Sequence, residues 1–245
     1  MIDRALEMSP RPFARIAGTF YLITIIMGVF AEAFVRGAFV VRGEAAATAT
    51  NILAHETLYR MGLTADLIML VCYIAVTILF YLLFKPVGRG HSLLAAFFSL
   101  VGIAVLAVNA LNHVAPLLLL GGANYLSAFE VTQLQTAAFL CLKMHSLGYS
   151  ISGVFFGIYC VLIGYLAFRS GFLPRILGVL MAIGGLSYLT DSFAIFLLPA
   201  LAARLPDIMV LGGIAELSLT LWLMVMGVNA PKWKEKASAW QIGRA

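Results

Sequence analysis

Residues 61–84 read MGLTADLIMLVCYIAVTILFYLLF, and this stretch decides the fold class. At about 1.5 Å of rise per residue a helix of this length covers about 36 Å, more than the roughly 30 Å of hydrocarbon in a bilayer. Asp66 is its one charged side chain. Strands of a membrane barrel alternate apolar and polar residues over about ten positions, and this run does not alternate. In hydrocarbon a backbone must satisfy its own N–H and C=O groups, which a helix does internally. The stretch therefore reads as a transmembrane helix, and Asp66 as the first candidate for function.

Five more stretches of the same character lie at 16–38, 92–120, 145–168, 174–198 and 208–229. The composition agrees, with 62% hydrophobic and 11% charged residues, far from the balance of a soluble domain. The expected architecture is all-α: a polytopic membrane protein, one membrane domain over 1–245 holding a single bundle of six transmembrane helices. The longest polar interruptions are 39–58, 121–135 and the tail after Asn229.

Basic residues near the ends of the spans set the expected orientation. With a cytoplasmic N-terminus, the inner side receives Arg4, Arg11, Arg15, Lys85, Arg89, Arg169, Arg175, Lys232, Lys234, Lys236 and Arg244, leaving Arg36, Arg42, Arg60, Lys143 and Arg204 outside. Eleven against five predicts both termini cytoplasmic (N-in, C-in) in a bacterial cytoplasmic (inner) membrane. The net charge of +5 is thus a consequence of topology, and the expected partner is the lipid bilayer rather than nucleic acid. Arg4, Arg11 and Arg15 ahead of an apolar run ending in Ala31-Glu32-Ala33 imitate a signal peptide, but the run is read as the first span. Cys72, Cys141 and Cys160 have no paired spacing and read as small buried residues, implying neither a disulfide nor a zinc knuckle.

The polar side chains within the spans fall at one expected depth. Glu32 lies 17 residues beyond Arg15, Asp66 lies 19 before Lys85, Asp191 lies 17 beyond Pro174 and Glu216 lies 16 before Lys232. With His113 lying 22 residues beyond His91, these separations span about 24–33 Å from the cytoplasmic boundary, and Asn109, Asn112 and His145 join the same layer. Burying such groups in hydrocarbon is costly, so they mark a functional site by default. Asn109, Asn112 and His113 share a helix face at i, i+3 and i+4; His145, Tyr149 and Ser152 share another; Ser187, Tyr188 and Asp191 cluster on the fifth span. The expected site is an intramembrane pocket on the extracytoplasmic side, with Asp66, His113, Asp191 and Glu216 as acid/base or ligand groups and Glu32, Asn109, Asn112, Tyr149 and Tyr188 beside them. Its ligand is a small or lipid-derived molecule or a divalent metal, the metal resting on His113, His145 and Asp66.

Each residue also has a plainer reading. Glu32 and Arg36 at i, i+4 make a local ion pair. Asp66 is neutralised by Arg60 at the mouth of its helix or by Arg36 across the bundle. Lys143 next to His145 points to an exposed interfacial position. The alternative to a binding site is therefore a scaffold or accessory subunit whose polar layer is a structural network; a small-solute or proton-coupled transporter is a further alternative, against which the inner half offers little polar lining. No HExxH, no nucleophile turn and no phosphate loop occurs. Gly153, Gly157, Gly164, Gly178, Gly184 and Gly185 read as helix-packing positions. The connection 43–57 reads as a short helix, an ordered connector or a lid, and the tail with Trp233 and Trp240 as an interfacial anchor.

The runs RIAGTFYLIT (15–24), AEAFVR (31–36), NALNH (109–113) and FRSGFLPRILG (168–178), followed by Asp191-Ser-Phe, resemble a bacterial integral-membrane family catalogued as domain of unknown function 4386. The resemblance covers about 11–229. It implies a six-helix membrane protein and carries no activity, substrate or catalytic residue.

Overall fold

The computed structural model describes residues 9–202 and 208–242, so Arg4, Arg204 and Arg244 of the basic residues above lie outside it. Every regular element among the described residues is helical. The main helices are α1 (Pro10–Phe39), α2 (Ala45–Ala54), α3 (Glu56–Phe84), α4 (Arg89–Leu120), α5 (Val131–Ser170), α6 (Arg175–Leu197), α7 (Met209–Val225) and α8 (Ala230–Ile242). Five of them, α1, α3, α4, α5 and α6, are long and apolar enough to cross a membrane. Large apolar side chains such as Val71, Phe97, Val108, Leu111 and Leu186 point outward from them, as lipid contact requires. The protein is an all-helical, polytopic membrane protein.

The sixth expected span, 208–229, is the less regular one. α7 has 17 residues, and it counts as a full crossing only when joined to α8, from which it is bent by 99°. Gly227 makes the bend: its φ of +67° lies in the left-handed region, and its N–H closes onto the Trp222 carbonyl at 3.1 Å. Pro231 then sits in the first turn of α8, where its missing N–H does no harm. Trp233, expected at the interface, is instead buried and donates Nε1–H to the Leu83 carbonyl at 3.0 Å. Trp233→Phe keeps most of the apolar bulk and removes that donor. It is expected to destabilise the detergent-solubilised protein by about 1 kcal/mol, read by chemical unfolding.

α5 begins 14 residues before its expected span and runs 40 residues, about 60 Å, so its first turns extend past the hydrocarbon. Its polar start is stabilised by Gln133, whose Oε1 accepts the Glu130 N–H at 3.0 Å, half of a capping box. The expected polar connection 121–135 shrinks accordingly to 121–130.

The chain divides into two compact units, one made of 24–71 and 104–149 and the other of the remaining residues. In the first unit Val35, Phe39, Ile52, Tyr59 and Leu142 form the apolar core. α2 contributes Ile52, and Asn51 Nδ2 and the Thr48 hydroxyl bind the backbone of Phe39 and Val41. The connection 43–57 thus holds a packed helix, Ala45–Ala54, with Ile52 in the core and Leu53 exposed.

In the second unit α5 and α6 approach backbone to backbone. A Cβ built on Gly185 would lie 2.5 Å from the Gly157 carbonyl oxygen, and one on Gly178 would lie 2.6 Å from that of Gly164. α7 continues the pattern against Gly184 through Gly212 and Ala215. Tyr21, Tyr73, Phe80 and Tyr159 fill the interior, and the Thr77 and Ser99 hydroxyls meet at 2.7 Å.

Candidate functional site

The centre of the 24–71/104–149 unit is a buried charge. α1 widens into a π-helical segment over Phe30–Arg36, with the Gly37 N–H reaching back five residues to the Glu32 carbonyl. Such wide turns are rare and are frequent at functional positions. This one ends in Arg36, which is 5% exposed.

All five guanidinium donors of Arg36 find partners. Nε donates to Glu32 Oε2 at 2.8 Å, Nη1 to Asp66 Oδ2 at 2.5 Å, and Nη2 to Asp66 Oδ1 at 3.3 Å and the Tyr149 hydroxyl at 3.1 Å. Nη1 also faces His113 Nδ1 at 3.1 Å. The Tyr149 hydroxyl in turn donates a hydrogen bond to Asp66 Oδ1 at 3.2 Å, and its ring lies under the guanidinium at 5.2 Å. Asp66 is 4% exposed, so this is a desolvated, bidentate Arg–carboxylate pair. The Glu32 side chain, by contrast, is 64% exposed.

His113 is fully buried on α4. Its Nε2 meets the Tyr59 carbonyl at 3.3 Å, while the Tyr59 hydroxyl donates to the His113 carbonyl at 2.9 Å. Pro116 interrupts the α4 ladder just beyond. With Nε2–H donating to Tyr59, Nδ1 is the acceptor that faces Arg36. His145 is 3% exposed on α5, its ring 5.5 Å from that of His113 and 5.1 Å from Tyr149. Lys143 is exposed, so its proximity in sequence did not carry His145 to the surface: two residues along a helix turn the side chain onto another face. Asn109 fixes the α4–α5 register by donating to the His145 carbonyl at 2.8 Å and accepting from Asn112 at 2.9 Å. Gly148 leaves room for that amide, which occupies the place a Cβ would take.

One set of potential metal ligands emerges. Ligand atoms of Asp66, His113 and His145 all lie within 4.8 Å of one another. Asp66 Oδ2 and His113 Nδ1 are 3.3 Å apart, close to the separation of about 3.3–3.5 Å between two ligands of a tetrahedral ion at bond lengths of about 2.0–2.2 Å. The His145 ring makes no hydrogen bond among the described residues. The occupant of the cleft between Asp66 and His113 is the Arg36 guanidinium itself.

Of the residues singled out from sequence, Glu32, Asp66, Asn109, Asn112, His113, His145 and Tyr149 belong to this unit, whereas Tyr188, Asp191 and Glu216 belong to the other. There, Cys160 donates to Glu216 Oε1 at 3.5 Å, and the Tyr188 ring fills the space beside Gly212. Arg60 pairs with Glu56 at 2.6 Å on the surface, leaving the neutralisation of Asp66 to Arg36. Tyr59 and Cys160 carried no sequence signal, being an aromatic and a thiol inside apolar helices.

The family model described as domain of unknown function (DUF4386) matches residues 16–227. An uncharacterized protein of Archaeoglobus fulgidus is 25% identical over 154 residues, which are 63% of this chain and 76% of that protein. No solved structure matches. With most of its length matched, from the first span through the end of α7, the chain belongs to the family of domain of unknown function 4386.

Proposed function

We propose that this protein, lying in a bacterial cytoplasmic membrane with both termini cytoplasmic, binds a divalent transition-metal ion at Asp66, His113 and His145. The excess of basic residues at the expected inner ends supports the orientation. The observation that carries the metal reading is His145, buried, without a side-chain hydrogen bond among the described residues, its ligand atom within 4.8 Å of a carboxylate and a second imidazole. Two histidines and a carboxylate suit zinc, or iron and manganese with open positions.

In this arrangement Arg36 is the internal competitor. It holds the cleft as a cation, and entry of a metal requires its guanidinium to leave Asp66 for Glu32 and water, a short move because Nε already touches the exposed Glu32. The Arg36–Asp66 pair is neutral, whereas a divalent ion on the one carboxylate and two imidazoles leaves the set at +1, with Arg36 balanced by Glu32. A metal-free reading is favoured by a different observation, the use of all five Arg36 donors, which makes the centre a complete structural network and the protein a membrane scaffold or accessory subunit.

Zinc binding to the detergent-purified protein, followed by calorimetry and elemental analysis, separates the two. The wild type is expected to take up one equivalent, His145→Ala to bind at least tenfold more weakly, a loss of about 1.4 kcal/mol, and Arg36→Gln, checked for folding by size exclusion, to bind at least tenfold more tightly. Zinc uptake by neither the wild type nor Arg36→Gln sinks the metal reading and leaves the structural network.

A further inference from the structure

A cavity of about 340 Å³ opens at the end of the other unit where α1 begins, the α5–α6 loop turns, and α7 bends into α8. Phe172, Leu173, Trp222 and Met226 give it apolar walls; Arg11 and Asn229 are polar features of its lining. The Arg11 side chain is exposed and makes no hydrogen bond or ion pair among the described residues. Its neighbour Arg15 behaves differently, being tied to the Val225 carbonyl at 3.1 Å.

Among the described residues the charge of this end is predominantly positive. The α3–α4 and α5–α6 turns and α8 come together here through the Phe84–Phe172 ring contact, the Asn229 N–H to Phe172 carbonyl bond and the Trp233 anchor on Leu83. They bring Lys85, Arg89, Arg169, Arg175, Lys232, Lys234 and Lys236 with them, against Glu235 as the acidic residue on α8. α8, 13 residues long, starts at the cavity rim, with Asn229 Oδ1 capping the Lys232 N–H at 3.2 Å. The positive end of its dipole adds to the charge of Arg11.

A cavity with aromatic and aliphatic walls, a guanidinium unpaired among the described residues and a helix N-terminus, in a membrane protein's basic end, matches an amphiphile with an anionic head. We propose that this cavity is a binding site for an anionic phospholipid, its phosphate held by Arg11 within the positive field of the α8 N-terminus and its glycerol and upper acyl carbons set against Trp222, Met226 and Leu173. A bidentate guanidinium–phosphate contact lets one arginine suffice, and the apolar walls distinguish the lipid from a free anion. The site is independent of the Asp66 centre, so neither reading depends on the other.

The test is native mass spectrometry of delipidated protein titrated with phosphatidylglycerol or phosphatidylcholine of identical chains. The first phosphatidylglycerol is expected to bind at least tenfold more tightly than phosphatidylcholine. Arg11→Gln is expected to lose at least fivefold for phosphatidylglycerol and less for phosphatidylcholine, whose choline cation offsets the charge of the same phosphate. Lys234→Gln, which removes an exposed charge outside the cavity, is expected to change it less than twofold, and millimolar inorganic phosphate to leave the lipid in place. Equal binding by Arg11→Gln and wild type overturns the proposal, as does an equal loss in Lys234→Gln, which signals diffuse attraction. Displacement by phosphate alone overturns it in favour of a free-anion site.

Discussion

Asp66→Leu is expected to lower the unfolding free energy in mixed micelles by about 3–5 kcal/mol, because it strands the Arg36 guanidinium in a dry interior without its carboxylate. Arg36 is 5% exposed and Asp66 4%, so in place of its buried partner the guanidinium keeps only the exposed Glu32 carboxylate, toward which it must move. Arg36→Met produces the mirror defect, with Asp66 left to His113 and Tyr149, and a loss of similar size. The double variant Arg36→Met with Asp66→Leu removes both charges together and is expected to recover most of that loss, since a buried pair replaced by apolar side chains is often close to neutral. The quantity to measure is the coupling free energy of the full cycle by reversible denaturant unfolding. Single-variant losses below about 1 kcal/mol, the range of exposed ion pairs, would show that the pair is hydrated and that the centre is no dry ligand set.

The second large effect belongs to a glycine. Gly185→Ala adds one methyl group between two helix backbones, and that methyl would stand 2.5 Å from the Gly157 carbonyl oxygen and 2.7 Å from the Val161 nitrogen. Neither neighbour is a flexible side chain, so the helices must separate. The expected loss is about 1–3 kcal/mol, with Gly185→Leu preventing the α5–α6 contact altogether. Gly213→Ala supplies the control: it lies inside α7 with nothing within 4 Å of its prospective Cβ. There the methyl group improves helix propensity, and stability is expected to rise by up to about 1 kcal/mol. Thermal unfolding of the two variants side by side checks the sign. Equal effects would mean that the close approach of α5 and α6 does not contribute to stability.

Helix and membrane class were legible because hydropathy is a local property. A run such as 61–84 has no other way to satisfy its backbone in lipid, whatever surrounds it. The residue types of the candidate centre were legible for the same reason, since a charge or an imidazole among apolar residues stands out wherever it lies. Arg36 was visible only as a partner. Its i, i+4 spacing to Glu32 explained it on the surface, and nothing local said that the side chain turns inward at the end of a π-helical segment.

Depth counted along separate helices groups Asp66, His113, Asp191 and Glu216 by distance from the basic anchors; the first two belong to one compact unit and the last two to the other. Rise per residue gives height along an axis and is silent about rotation around it.

What hydropathy and charge settle, then, is that the chain is helical, where most of its spans run and which polar side chains lie within them, because each of these follows from a residue's exchange between water and lipid. Packing decides the rest. Arg36 meets Asp66 thirty residues away, His113 is seated between them and Tyr59, and the His145 ring is buried without a hydrogen bond among the described residues, because helix rotation and glycine-set approach distances choose which faces meet. Those are properties of helix pairs, and no single helix encodes them.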